Sequence, residues 1–311
     1  MPGTTPVSAA MAGSQSDRWL EARTMPDNLA ASHANAHEEG KRPTDLRARI
    51  IAGAVMVLIA LALAYAGPTW FALLVLVVSL VISWEWGRVV RGLSFDLAFF
   101  VHAVAVTAAI ILAAKGYAAL GLAVIASSAI VLVPLVFGRG ARLSVLGVIY
   151  VGVPAVALLW MRSDEPYGFL AVLLIFAIVW ASDTTAYAAG RLIGGPKLWP
   201  QISPNKTWAG LLGGLAASTA AAALFSFFVE GASPLGLALT GLVLGIVAQA
   251  GDLAESALKR VFGFKDASAL IPGHGGFMDR MDSIVTVAVA AGLFALAVDP
   301  HAPARALLFG M

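Results

Sequence analysis

The chain lacks cysteine and carries little charge. None of its 311 residues is cysteine, which excludes disulfides, thiolate metal sites and a cysteine nucleophile. Only 12% of the residues are charged, whereas soluble domains carry about 25%. The formal net charge of +2 gives no reason to expect a nucleic-acid partner. With 59% hydrophobic residues and a mean hydropathy of +0.86, the composition indicates an integral membrane protein.

Nine stretches are long and apolar enough, or nearly so, to cross a bilayer. A spanning helix needs roughly 20 apolar residues, and backbone groups cannot stay unpaired in lipid. We therefore predict an all-α, polytopic fold with about nine transmembrane helices, at residues 50–67, 68–86, 96–114, 118–137, 143–161, 167–189, 208–229, 234–251 and 283–298. The polar segment 1–46 is predicted to be a disordered cytoplasmic tail, and 47–311 the transmembrane domain.

The basic residues of the loops predict an orientation. In the loops, in residues 41–49 before the first predicted span and after the last span, 15 Lys and Arg residues fall on the side of the N-terminus and 3 on the other. Short cytoplasmic loops carry an excess of Lys and Arg. We therefore predict a cytoplasmic N-terminus and an extracytoplasmic C-terminus.

Acidic residues gather at the predicted cytoplasmic ends of three spans. Asp183 lies near the end of span 6, Asp252 and Lys259 share one helical face after span 8, and Asp279 and Asp282 share one face at the start of span 9. Ionisable groups at membrane depth are costly and are therefore functional candidates. Helix caps and salt bridges explain each residue taken singly, but they explain the whole group poorly.

The carboxylates predict a metal site. If the fold gathers Asp252, Asp266, Asp279 and Asp282, they repel one another unless a cation lies among them. Neighbouring Lys and Arg side chains could supply the charge, and a divalent metal would also add chemistry. Oxygen ligands suit Mg²⁺, which usually completes its shell with water and substrate phosphates. The basic residues are then phosphate ligands, and nearby glycines allow the backbone to approach the phosphates.

The loop before span 7 adds a second basic element. Ser203, Lys206 and Thr207 lie where span 7 begins, and a helix N-terminus favours anions. From the residues alone we predict a membrane enzyme that transfers a phosphoryl or nucleotidyl group to an amphiphilic substrate.

The polar segments also resemble a known family. S-A-L-K-R at 256–260, K-D at 265–266 and H-G-G-F-M-D-R-M-D at 274–282 resemble the signature of phosphatidate cytidylyltransferases, the CDP-diacylglycerol synthases. Upstream, S-D-T at 182–184 and I-S-P-N-K-T-W at 202–208 resemble two further elements of that family. Ala209 departs from the acidic or amide residue that many members carry there. The resemblance covers spans 5 to 9 well, whereas the first four spans match only as hydrophobic segments.

The resemblance implies a reaction and its setting. CTP and phosphatidate would give CDP-diacylglycerol and pyrophosphate, in phospholipid biosynthesis. It also implies Mg²⁺, a second, monovalent ion such as K⁺, a homodimer, and a multi-pass protein of the inner (plasma) membrane whose active site faces the cytoplasm. The catalytic domain would be 47–311, with its site mainly from residues 180–210 and 249–286.

Site residues follow from the matched positions. The expected catalytic residues are Asp252, Lys259, Asp266, His274, Asp279 and Asp282. The expected metal ligands are Asp252, Asp266, Asp279 and Asp282. The expected substrate and phosphate ligands are Ser182, Asp183, Ser203, Lys206, Thr207, Ser256, Arg260, Lys265, Gly275, Gly276 and Arg280. His274 could donate to the departing pyrophosphate or have a purely structural role.

Two other functions remain open at this point. A CTP-dependent lipid kinase of related fold would release CDP rather than pyrophosphate. A secondary transporter would place its charges near the midplane between inverted repeats. Here the charges cluster towards one face and no such repeat is visible, which disfavours transport.

Overall fold

The computed structural model describes residues 44–136, 141–268, 270–271 and 275–310. The helices are α1 (Thr44–Tyr65), α2 (Pro68–Arg91), α3 (Leu97–Ala114), α4 (Ala118–Leu135), α5 (Ala141–Arg162), α6 (Gly168–Leu192), α7 (Trp208–Phe225), α8 (Pro234–Val261), α9 (Met278–Val298) and the short α10 (Pro303–Phe309). Two strands, β1 (Lys197–Trp199) and β2 (Ser203–Thr207), lie between α6 and α7. The predicted tail falls outside this description except for residues 44–46, which belong to α1.

The predicted all-α, polytopic membrane fold is confirmed. Within the described ranges, eight helices, α2 to α9, are long and apolar enough to cross a membrane. The remaining predicted span coincides with α1, whose apolar stretch Ile51–Tyr65 is shorter. Which membrane face each end occupies stays a prediction.

Outward-facing aliphatic side chains and close-packed small residues characterise the bundle. Leu58, Val104 and Ile130 are exposed, as expected of side chains that meet lipid. Inside, glycines let helices approach: a Cβ on Gly241 of α8 would lie 2.5 Å from the Ser218 carbonyl oxygen of α7. Such close approach is a main source of helix association in membranes.

One end of the bundle collects the predicted site, and we call it the site end. Here Arg91 of α2 donates to Ser144 of α5 over 3.0 Å. Lys206, just before α7, lies 2.7 Å from Asp252 of α8. The site end therefore comprises the C-termini of α2, α6 and α8 and the N-termini of α3, α5, α7 and α9.

Side-chain caps fix the starts of α3 and α7 at this end. Asp96 accepts a hydrogen bond from the Phe99 N–H (2.9 Å) and two from the Arg91 guanidinium. Burial alone raises the pKa of the Asp96 carboxyl, but these partners outweigh burial and the pKa lies below its ordinary value. Thr207 caps α7 by accepting from the Gly210 N–H (3.1 Å).

The segment before α7 is a small hairpin. The sequence predicts only a proline-stiffened loop there, but β1 and β2 pair antiparallel, with Lys197 opposite Thr207 and Trp199 opposite Ser203. The hairpin delivers Lys206 to the first turn of α7.

Candidate active site

A cavity of about 1130 Å³ extends from the site end into the bundle. Its inner wall is apolar and comes from α1, α2, α5 and α6, with side chains such as Val57, Leu74 and Leu158. Twelve of the predicted site residues line its outer part: Asp183, Ser203, Lys206, Thr207, Asp252, Lys259, Arg260, Lys265, Asp266, Asp279, Arg280 and Asp282. The structure thus brings together most of the predicted set.

The other predicted residues lie beside this wall. Ser182 is buried and accepts a hydrogen bond from the Gln249 amide over 3.0 Å. The Ser256 hydroxyl lies 3.5 Å from the Asp252 carboxylate, at the limit of hydrogen bonding. Gly275 and Gly276 form the turn that leads into α9. His274 lies outside the described residues.

Lys206 and Asp252 join the hairpin to α8. Their charged atoms are 2.7 Å apart and both side chains are partly exposed. The Lys206 ammonium makes no well-aligned hydrogen bond with any described residue, so the contact is an ion pair by distance rather than by hydrogen-bond geometry. A lysine held this way can turn towards an incoming anion without leaving a buried partner behind.

Lys259 differs from Lys206 because it has two partners and both are buried. Its ammonium lies 2.6 Å from Asp279 and 2.7 Å from Glu255. The exposed fractions are 11% for the Lys259 side chain, 4% for Asp279 and 2% for Glu255. A buried charge is tolerated only when it is paired, so this triad fixes α8 against the start of α9.

Asp279 also organises the backbone before α9. Its Oδ2 accepts from the N–H groups of Ala267 (3.0 Å) and Gly276 (2.8 Å). Gly275 has a φ of 81°, the left-handed region that glycine adopts without strain. Because its oxygens already accept from Lys259 and two N–H groups, Asp279 serves as an anchor of this turn.

Three further carboxylates line the cavity. Asp183, Asp252 and Asp282 lie close enough to repel each other, and the Ser283 hydroxyl lies beside Asp183. Asp282 is buried, with the Ser283 N–H donating to it over 2.7 Å. Asp183 is exposed and Asp252 is partly exposed, so water screens part of this repulsion, and the repulsion that remains favours binding of a cation.

The donor set suits Mg²⁺ in part. Asp252 and Asp282 line the cavity and offer the hard oxygen ligands that Mg²⁺ prefers. In the part of the chain that the structure describes, no group of three or more Asp, Glu or His side chains is arranged to hold an ion. Mg²⁺ commonly takes only one or two carboxylates and completes its shell with water and phosphate oxygens. Asp266 is exposed at the cavity wall, and the predicted four-aspartate set stays a prediction.

Glu85 of α2 is a site-end residue that the sequence analysis missed. It is 0% exposed and accepts hydrogen bonds from the Ser268 hydroxyl and from the N–H groups of Phe277 and Met278. The available signal was its position, since it is an acidic residue near the end of an apolar span. Its partners lie 183 to 193 positions further along the chain, so no local pattern pairs them.

The fold and the cavity define a polytopic membrane protein with a charged site at one end of its helix bundle. Comparison with known sequences supplies the family. The profile of the Cytidylyltransferase family matches residues 47–298, and the chain belongs to this family.

Several relatives carry the name phosphatidate cytidylyltransferase. The Brucella abortus protein (strain 9-941) is 38% identical over 253 residues, 81% of this chain and 93% of the relative. The Brucella suis protein is 37% identical over 263 residues, 84% of this chain and 97% of the relative. The Staphylococcus haemolyticus protein is 44% identical over 148 residues, which cover 47% of this chain and 56% of the relative.

Proposed function

We propose that the protein is a phosphatidate cytidylyltransferase, which converts CTP and phosphatidate into CDP-diacylglycerol and pyrophosphate. The observation that carries the proposal is the two-part cavity, charged at the site end and apolar within. This shape suits an amphiphilic substrate whose phosphate meets the charges while its acyl chains contact the apolar wall. Family membership supports the same reaction and does not favour a lipid kinase or a transporter.

The reaction mainly requires that the negative charges of the two substrates be neutralised and that the attacking oxygen be aligned with the α-phosphorus. A phosphatidate phosphate oxygen forms a bond to the α-phosphorus of CTP, and the bond from that phosphorus to the α–β bridging oxygen breaks. The electron pair leaves with pyrophosphate. Because the attacking oxygen is already anionic, we assign no general base.

Basic side chains at the cavity wall would hold the two anions. Both Lys206 and Arg260 lie where the hairpin meets α8. Lys206 is paired with Asp252 of α8, and the Arg260 guanidinium donates to the Ile202 carbonyl over 3.3 Å. Lys265 and Arg280 complete the positive wall. Fixed cations near the transferring phosphorus stabilise the charge that develops in the transition state.

We propose Asp252 and Asp282 as the residues that hold Mg²⁺, with Asp183 close by. When bound, the ion would screen the triphosphate and polarise the α-phosphoryl group. Asp279 and Lys259 would act beside it by fixing the start of α9. A monovalent ion such as K⁺ in the same carboxylate group is part of the proposal.

The setting is also proposed. The basic asymmetry of the loops supports a site end that faces the cytoplasm, in a multi-pass protein of the inner membrane. We also propose a homodimer, on the basis of the family resemblance. Light scattering of the detergent-solubilised protein would measure its oligomeric state.

Purified protein in detergent tests the function directly. With CTP, phosphatidate and Mg²⁺ we expect pyrophosphate release that needs phosphatidate and stops with EDTA. Release of CDP in place of pyrophosphate would identify a kinase. Absence of any CTP turnover by folded protein would overturn the assignment.

A further inference from the structure

Glu85 is a buried carboxylate that the reaction chemistry leaves unused. It lies in α2 with no exposed surface, and it does not line the cavity. Acidic side chains are almost never fully buried unless they are paired. Burial of a carboxylate is costly unless hydrogen bonds or charges compensate for it, so the partners of Glu85 reveal its role.

The partners of Glu85 lie at the start of α9. Oε1 accepts from the Ser268 hydroxyl (2.5 Å) and the Phe277 N–H (3.0 Å), and Oε2 accepts from the Met278 N–H (2.6 Å). The first N–H groups of a helix have no partner within it, and the helix dipole favours an anion there. Phe277, at the N-cap position, offers no side-chain cap of its own. Glu85 therefore caps α9 from another helix.

The space around Glu85 explains a glycine of the motif. A Cβ at Gly276 would collide with Glu85 Oε1 and would lie 2.8 Å from its carboxyl carbon. The Gly276 N–H meanwhile donates to Asp279. The turn before α9 thus lies between two carboxylates, one from α2 and one from α9 itself.

We propose that Glu85 is a positioning residue for the transfer reaction. By capping α9 it fixes the start of that helix, whose first turn carries Asp279 and whose second turn carries Asp282. Asp279 in turn holds Lys259, so one side chain of α2 sets the geometry of charges contributed by α8 and α9. The inference rests on the proposed function for its kinetic consequence, whereas the cap itself is testable without activity.

Hydrogen exchange tests the cap. In Glu85→Ala the amide protons of Phe277 and Met278 should exchange about tenfold faster or more, because each loses a hydrogen bond to a charged group. Glu85→Gln should give an intermediate effect, because one carbonyl oxygen remains while the other acceptor becomes an NH₂ donor. Glu230→Gln, an exposed glutamate between α7 and α8, is the matched control and should leave exchange unchanged. Unaltered protection of both amides in folded Glu85→Ala would overturn the proposal.

Kinetics then separate positioning from a merely structural role. In folded, monodisperse Glu85→Gln we expect kcat to fall roughly 10- to 100-fold, because small misplacements of reacting groups have effects of this size. The KM for CTP should change less, since Lys206 and Arg260 are held by other elements. A kcat per folded molecule within twofold of the wild type would overturn the proposal, even if expression or thermal stability fell. If the wild type itself makes no CDP-diacylglycerol, the proposed function fails, and the exchange experiment still decides whether Glu85 fixes α9.

A double-mutant cycle gives an independent check. Gly276→Ala should push the new methyl group against Glu85 and displace the turn. In a Glu85→Ala background that collision is gone, so the two exchange effects should be clearly non-additive. Additive effects would mean that the two residues do not interact and would overturn the cap.

Discussion

Lys259 shows how a single side chain can combine two roles. The sequence places it on the face of Asp252 and predicts a phosphate ligand. The structure places its ammonium between Glu255 and Asp279, while the same side chain lines the cavity. Its first effect is therefore on local structure, and any contact with phosphate adds to it.

Removal of Lys259 should destabilise the protein. Lys259→Ala leaves two buried carboxylates without their counterion, and breaking a buried pair costs about 3–5 kcal/mol. Adding Glu255→Gln should restore part of the loss, because it removes one of the two charges. Denaturant unfolding in detergent measures both variants. Lys265→Ala, at an exposed position, is the control. If Lys259→Ala proved as stable as the control, the triad would not contribute to stability.

Asp279 and Asp282 should respond differently to Mg²⁺. We expect Asp282→Asn to lower turnover by roughly 10²-fold at limiting Mg²⁺, because an amide is a poor ligand and each ~1.4 kcal/mol is tenfold. Part of that loss should be recovered at high Mg²⁺. Asp279→Asn should also lower turnover, but without recovery, since its oxygens accept from Lys259 and the backbone. Titration of Mg²⁺ in the CDP-diacylglycerol assay is the measurement. Equal recovery of both variants would contradict the assignment of metal binding to Asp282 and of a structural role to Asp279.

At the residue scale, the sequence identifies the candidate site residues better than it identifies the side chains that they contact. Asp252 and Asp282 are found because ionisable groups at the ends of apolar segments are conspicuous, and Lys206 because it lies just before the start of a predicted helix. Their pairing depends on which helices meet, and local spacing carries no such information. Glu85 is missed for the same reason, since its three partners belong to a segment far along the chain.

At the scale of the elements, hydropathy predicts the helices because lipid forces every spanning backbone to satisfy its own hydrogen bonds. Their ends shift by as many as ten residues: α8 continues to Val261 as a polar helix, whereas its predicted apolar span stops at 251. The β1–β2 hairpin escapes prediction because three prolines obscure its short strands.

Helices α7 and α8 pack closely where Gly241 meets Ser218. Gly241→Ala should destabilise the protein by about 1–3 kcal/mol, because the added methyl group meets the Ser218 carbonyl of α7 and an overpacked core must shift. Val243→Ile adds a methyl group on an exposed face of the same helix and should have little effect. Thermal unfolding in detergent compares the two. Similar midpoints would show that α7 and α8 are not closely packed at Gly241.

At the scale of the whole molecule, the sidedness of the bundle determines where the substrates are used. Because 15 of the basic residues that flank the spans fall on one predicted side and 3 on the other, a reporter fused after residue 311 should be extracytoplasmic. One inserted after Gly195, before the hairpin, should be cytoplasmic. Both reporters on the same side would mean that a span is miscounted.

The fate of labelled phosphorus tests the central claim most directly. Purified protein is incubated with phosphatidate, Mg²⁺ and CTP labelled at either the α- or the γ-phosphorus, and the lipid product is extracted. The account predicts that the α label enters the lipid as CDP-diacylglycerol while the γ label leaves as water-soluble pyrophosphate. Transfer of the γ label to the lipid, with the α label left in soluble CDP, would contradict it.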